Sequence, residues 1–327
     1  MPNVLGLPYP QTAPVDVRDG LRAHLHTNFP DIDPQLLERD IEAWQDLRRK
    51  CVSRAAPAGP SPLLRDYAAQ LDCAARMLKN EAGTAFPWAP GFSHAPPLQW
   101  HESIAAERAY VLLWIAAEHA QSASWESRST SESLKRAANE FQLAAGCLAH
   151  MTTLPLPAPL QDQVPCLRFL MLAQAQECFW QKAVQDALKD TTIAKLAQGV
   201  STLYADSVAL APPAALPPDW LQHMECKRWH FAAAAMYRKS CDDLAQRRHA
   251  DELGRLRLAA SYVERAKRAG TRVVATAVVD DVQSLYDIIH TNLVRADKDN
   301  ELIYLEAPTN AAHLPDIGTA LLATERC

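Results

Sequence analysis

Proline divides this chain into long segments, and that division constrains the fold more than any other feature. Of the 23 prolines, 14 gather in four clusters: Pro57 with Pro60; Pro87, Pro90, Pro96 and Pro97; Pro155, Pro157, Pro159 and Pro165; and Pro212, Pro213, Pro217 and Pro218. A helix does not run through such a cluster, because proline lacks an amide hydrogen and its ring clashes with the preceding turn. Between clusters, apolar residues recur with helical spacing. Leu37, Ile41, Trp44 and Leu47 form one such face, and Leu64, Tyr67, Leu71, Ala74, Ala75 and Leu78 another. There are only 10 glycines, while alanine and leucine are plentiful, which lowers the entropic cost of ordering helices.

The spacing therefore predicts a mostly α chain. Helices are expected after Val17, after Asp33-Pro34 and after Ser61-Pro62, where serine caps and proline fills the first turn. The chain from Leu98 to Leu148 reads as helical, with a capping box at Ser129-Thr130-Ser131-Glu132 opening its second half. Cys166 to about Leu210 reads as one long helix or two consecutive ones. Asp219 is expected to cap the next, and two more follow, from about Asp251 to Ala269 and from about Val279 to Asp297. Asn3 to Tyr9 reads as an edge strand or extended arm. Phe86, Trp88 and Phe92, broken by prolines, read as a short hairpin against it, and the tail after Tyr304 reads as extended. Long antiparallel helices with short proline-rich joints point to a helical-hairpin solenoid in one domain spanning residues 1–327, although no regular 34-residue repeat is present.

Charge and motifs narrow the function. A net charge of −5 offers no strongly basic surface, so nucleic acid is not an expected partner. The longest apolar run, Ala109 to Ala117, is about half of what a bilayer span needs, and no signal peptide opens the chain. Membrane contact is expected to be peripheral. The eight cysteines form no CxxC pair and read as reduced, buried, structural thiols. No glycine-rich phosphate loop, GxSxG elbow or HExxH helix occurs; after His101-Glu102 the second zinc ligand is replaced by Ala105. No cofactor or metal is expected, and an enzymatic reading has no motif behind it.

Two segments are similar to a known family. Met171-Leu172-Ala173-Gln174-Ala175-Gln176-Glu177-Cys178-Phe179, with Lys182-Ala183 and Ile193-Ala194-Lys195-Leu196-Ala197, resembles the MLAQAQE…F…KA…IAKLA signature of Bro-one domains of the Alix/PalA type. Lys298-Asp299-Asn300-Glu301-Leu302-Ile303-Tyr304, with Pro308 after it, resembles the family's KDND.IY….P stretch. The opening Met1 to Pro8 is closer to the fungal PalA branch, which signals ambient pH, than to animal Alix. Departures occur at Phe86-Pro87-Trp88-Ala89-Pro90, which lacks the family's acidic residue, at Trp114 in place of an asparagine, and at Ala250-Asp251 in place of Gly-Glu.

The resemblance implies a curved, banana-shaped, tetratricopeptide-like helical-hairpin solenoid with a small β-sheet near the N-terminal part. It implies a cytoplasmic scaffold, recruited to endosomes, that binds the C-terminal amphipathic helix of a Snf-seven-class ESCRT-III subunit. Full-length relatives continue into a V-shaped domain that binds YPxL peptides and a proline-rich tail; this chain stops at Cys327, about where that domain is expected to begin. Tyr9-Pro10-Gln11-Thr12 has threonine in place of the leucine of such a peptide and reads as the end of the N-terminal strand.

Leu172, Phe179, Ala183, Ile193 and Leu196 are apolar helix residues, and taken singly each reads first as core. Lys135, Lys182 and Lys195 read as solvated faces. The resemblance selects Phe179, Leu196, Leu134 and Lys182 for a partner-binding groove. Thr192 falls where Alix-like relatives carry an apolar residue, one turn before Leu196, and Lys135 would join the basic rim that an acidic helix face requires. The alternative is a tetratricopeptide-like adaptor for an unrelated peptide.

Overall fold

A computed structural model describes residues 3–326, apart from residue 32 and residues 54–59, 90–91, 93–96, 212–215 and 272–274. The proline-rich joints expected at Pro57, at Pro90 to Pro96 and at Pro212-Pro213 fall largely outside the described residues, as does Cys327.

The described residues form ten α-helices and a three-stranded antiparallel sheet. The N-terminal third holds β1 (Gln11–Thr12), α1 (Arg18–Asn28), α2 (Pro34–Val52), α3 (Pro62–Met77), β2 (Glu81–Ala89) and β3 (Gln99–Ser103). Six helices then stack in succession: α4 (Ile104–Trp125), α5 (Ser131–Met151), α6 (Ala158–Gln185), α7 (Asp190–Ala209), α8 (Pro218–Ala245) and α9 (His249–Ala269). Helix α10 (Thr276–Asp299) packs on α9 and ends in a π-helical turn, Asn300–Tyr304. This is the mostly helical solenoid with a small sheet that the periodicity and the resemblance imply.

Local chemistry accounts for most boundaries. Asp33 accepts from Gln35 N at 3.0 Å and Ser61 accepts from Leu63 N at 3.2 Å, so each caps a helix that has proline in its first turn. The box at α5 is Thr130 with Ser133, each side chain accepting from the other's backbone, rather than the glutamate version read from the sequence. In the sheet, Thr12 pairs with Trp88 and Phe86 with His101, so β2 is the central strand; its hairpin partner is Gln99–Ser103 rather than the stretch around Phe92, and the edge strand is Gln11–Thr12, with the expected Asn3 to Tyr9 stretch an extended arm before it.

Three boundaries correct the sequence reading. Residues 99–103 are strand, because pairing with β2 decides them; periodicity alone cannot see that partner. Helix α6 starts at Ala158, and Pro165 lies inside it. The lost hydrogen bond is outweighed by packing, since Leu160, Val164, Cys166 and Leu167 are all fully buried. Of the two readings left open for this stretch, the structure has two consecutive helices, α6 and α7. Pro217 takes the cap position of α8, which leaves Asp219 in the first turn, where its charge complements the helix dipole without capping. The cysteines are also not uniformly buried: Cys51, Cys166, Cys178 and Cys226 are, while Cys73 is exposed.

Buried ion pairs join the layers. Glu107 of α4 accepts from Arg48 Nε at 3.0 Å, Tyr67 OH at 2.7 Å and the Trp88 indole N–H, tying α2, α3 and β2 together. Glu177 of α6 accepts from Lys227 Nζ at 2.9 Å and from Tyr204 OH, joining α6, α7 and α8. Each oxygen of both carboxylates has at least one donor, which is the condition for keeping a buried charge.

Candidate partner-binding face

The chain beyond Leu305 has no regular secondary structure, yet it crosses the solenoid on a set course. Thr309 N donates to Ala250 O at 3.0 Å and Thr309 Oγ1 to Asp251 Oδ1 at 2.7 Å, at the start of α9. Ala320 N donates to Lys195 O on α7 at 3.1 Å. Gln176 of α6 donates through Nε2 to Ala320 O at 2.7 Å, and its Oε1 accepts from Leu322 N at 2.9 Å and Ala323 N at 3.0 Å. Gln142 of α5 accepts from Thr324 N at 3.0 Å, and Asn139 accepts from Arg326 Nη1 at 2.8 Å. Each crossing passes a mid-helix glycine. A Cβ at Gly199 would stand 2.6 Å from Ala320 O, and one at Gly254 or Gly146 would overlap the carbonyl oxygen of Thr309 or Arg326.

These contacts identify the faces. Asn139, Gln142 and Gly146 put one side of α5 against the tail, and Lys135 lies on that side one turn earlier. Lys195 and Gly199 do the same for α7, with Thr192 and Leu196 beside them. On α6, Gln176 meets the tail, while Phe179 and Ala183, three and seven residues on, continue its face. Ala183, Ile193 and Leu196 form a small cluster on which Trp180, Val184 and Ala320 pack.

The sequence-selected residues divide in two. Phe179 is partly buried, packed against the main core; Lys182 is partly exposed and pairs with Asp186; Thr192 is exposed. Lys135 is exposed and lies 3.6 Å from Glu132. By contrast, Leu134 is 1% exposed and belongs to the main core. Leu196 is 3% exposed, covered from outside by the tail at Ala320. In this form of the chain neither offers a partner much surface.

What sequence reasoning missed is the tail itself, with Gln142 and Gln176 beneath it. It leaves Leu321 and Leu322 52% and 53% exposed beside this face. One signal was legible: Gly146 and Gly199 interrupt strongly helical patterns in a glycine-poor chain, and an isolated helical glycine often marks a close approach.

Burial pushes the Cys178 thiol up to about 12 and the Cys226 thiol up to about 11, so neither supplies a thiolate near neutrality. Burial, and after it the Lys227 charge, lowers His223 and His230 to about 3. Among the described residues no three His, Cys, Asp or Glu side chains group as a metal site, and no helix is long and apolar enough to cross a membrane.

The described residues thus define a helical-hairpin solenoid with a small sheet and a tail seated on helix glycines. The chain belongs to the BRO1-like domain family, whose match covers residues 4–326. It is 37% identical over 99% of its length to the pH-response regulator protein palA/RIM20 of Emericella nidulans, covering 39% of that protein. It is 27% identical to the vacuolar-sorting protein BRO1 of Arabidopsis thaliana, over 93% of this chain and 39% of that one. The chain thus spans about two fifths of the length of these curated relatives. Among solved structures, an ALIX BRO1 CHMP4C complex superposes with a TM-score of 0.84 at 25% identity, over 99% of this chain and 95% of that one.

Proposed function

We propose that this domain is a non-enzymatic adaptor that binds the C-terminal amphipathic helix of a Snf-seven-class ESCRT-III subunit on the face formed by α5, α6, α7 and the tail. The observation that carries this reading is the composition of that face. Phe179, Leu321 and Leu322 offer a shallow apolar strip, and Lys135, Lys182 and Lys195 stand around it. An amphipathic helix with an acidic polar side fits such a strip: its i, i+3 and i+4 anchors bury apolar area and its carboxylates meet the lysines.

The fold likeness to the BRO1 domain of the ALIX BRO1 CHMP4C complex supports ESCRT-III as the partner class. The names of the relatives support a place in fungal pH-response signalling or in endosomal sorting. In this reading the domain acts on the cytoplasmic side of endosomes and reaches the membrane through polymerised ESCRT-III, with no nucleic acid, metal or cofactor involved. It acts as one domain, and YPxL peptides would be the business of another part of longer relatives.

The test is a fluorescence-anisotropy titration of labelled C-terminal peptides of the ESCRT-III subunits. The Snf-seven-class peptide should bind, and Phe179→Asp should weaken it at least about tenfold, or ~1.4 kcal/mol, with the far-UV spectrum unchanged. Equal binding by the variant would reject this face. No binding by any ESCRT-III peptide would favour an adaptor for an unrelated peptide.

A further inference from the structure

We propose that Gln176 is the positioning residue of this face: it holds the tail in place, and the tail then forms one wall of the groove. The proposal rests on the binding reading above, and it names a residue that itself touches no partner.

Gln176 is fully buried, and both ends of its amide are spent on tail backbone. Its donor takes the Ala320 carbonyl and its acceptor takes two consecutive amides, Leu322 and Ala323. The side chain thereby does for the tail what a neighbouring strand does in a sheet. The tail has no ladder of its own at this point. Its other local bonds are Ala320 N to Lys195 O and Thr324 N to Gln142 Oε1, one on either side of the Gln176 contact. Gln176 is thus the central fixing point of residues 320–324.

Position matters because of what this stretch touches. Ala320 closes over Ala183, Ile193 and Leu196, and a Leu321 methyl lies 3.1 Å from where a Cβ of Gly199 would be. With the tail seated, Leu321 and Leu322 stand half-exposed beside the face. With the tail lifted, Leu196 is uncovered and the wall is lost. One side chain on α6 therefore sets the shape of a surface whose residues come from α6, α7 and a segment about 145 positions away in sequence.

Gln176→Leu keeps most of the side-chain volume and removes all three bonds. In the full chain, amide exchange at Leu322 and Ala323 should accelerate at least about tenfold, since their acceptor is gone. The Snf-seven-class peptide should bind about tenfold more weakly, with helicity unchanged. Gly199→Val displaces the same stretch by another route, by crowding Ala320 O. If both variants act by moving the tail, their combined loss of affinity falls short of the sum of the single losses; a merely structural role for Gln176 makes the losses add. Where Gln176→Leu folds poorly, Gln176→Glu, which keeps the acceptor and loses the donor, gives a milder form of the same comparison.

Unchanged exchange at 322 and 323 overturns the clamp whatever the peptide does. Faster exchange with unchanged affinity overturns its link to the groove, as do additive losses. If the unmodified chain binds no such peptide, the binding reading falls and so does the groove role, while exchange still decides separately whether Gln176 holds the tail.

Discussion

Gln174 and Gln176 stand two residues apart on α6 and hold opposite ends of the chain. Gln174 Nε2 donates to Leu5 O at 2.9 Å and its Oε1 accepts from Leu5 N, so it grips the N-terminal arm. Gln176 makes the same two-ended grip on the tail. Two residues turn a helix by about 200°, so the two amides leave α6 on roughly opposite sides. The adjacent Glu177 turns to Lys227 and Tyr204, and burial followed by the Glu177 charge pushes that tyrosine well above its ordinary range. The run from Gln174 to Glu177 is therefore a junction for the two termini and the solenoid core.

Phe179→Asp and Leu196→Asp should separate by phenotype. Phe179 is partly exposed, so its aspartate stays hydrated and the fold survives, while peptide affinity falls. Leu196 is buried against Ala183 and Ile193, so an aspartate there should cost several kcal/mol of stability, on the order of 3. Urea denaturation of both variants checks this; equal midpoints for the two would contradict the placement.

Thr192→Ile should tighten peptide binding modestly, by about tenfold or less, the equivalent of ~1.4 kcal/mol. Thr192 is exposed in the first turn of α7, one turn before Leu196. Its hydroxyl, if covered by a partner, must find a bond or lose hydration worth about 1–3 kcal/mol. A bond back to a carbonyl one turn earlier softens that cost. Anisotropy decides the matter: no change places Thr192 outside the contact, and weaker binding means the hydroxyl bonds the partner.

Gly254→Ala should destabilise, against the ordinary rule. Alanine in a helix interior usually stabilises by about 1 kcal/mol relative to glycine. Here the new methyl meets the Thr309 carbonyl oxygen, and lifting that residue also strains its bonds to Ala250 and Asp251. A net loss of about 1–2 kcal/mol is expected. Gly270→Ala is the control, since a Cβ there makes ordinary contacts, the nearest at 3.4 Å. Thermal melts of the pair should move apart; a gain in Gly254→Ala would show that the tail is not seated on α9.

Acid should weaken the fold through His230. Burial, reinforced by the Lys227 charge, depresses its folded pKa to about 3 from 6.5, so between those values the unfolded chain binds the extra proton. Stability from this group is complete above about pH 6.5 and falls as pH drops, by about 1.4 kcal/mol per unit. His223, lowered to about 3 in the same way, adds to the trend. His230→Leu removes one titrating group, so denaturation at about pH 7 and about pH 5 should show the variant losing ~2 kcal/mol less than the parent. Parallel losses would mean that His230 is not held neutral.

Helix type and order were legible from the sequence because they depend on short-range effects. Proline clusters, caps such as Asp33 and Ser61, and the periodicity of Leu64, Tyr67 and Leu71 act within a few residues, and the structure honours them. The family signature at 171–179 was legible too, as a string of letters. Its meaning was not: nothing local distinguishes Gln174, which meets Leu5, from Gln176, which meets Ala320. Leu134 and Phe179 look alike as apolar helix residues, yet one is sealed in the core and the other reaches the surface. That difference depends on which neighbours each helix meets once packed, and the tail over these helices is likewise placed by bonds to residues about 60 to 180 positions away. Periodicity specifies a helix and its apolar side, but only the packed chain decides what covers that side.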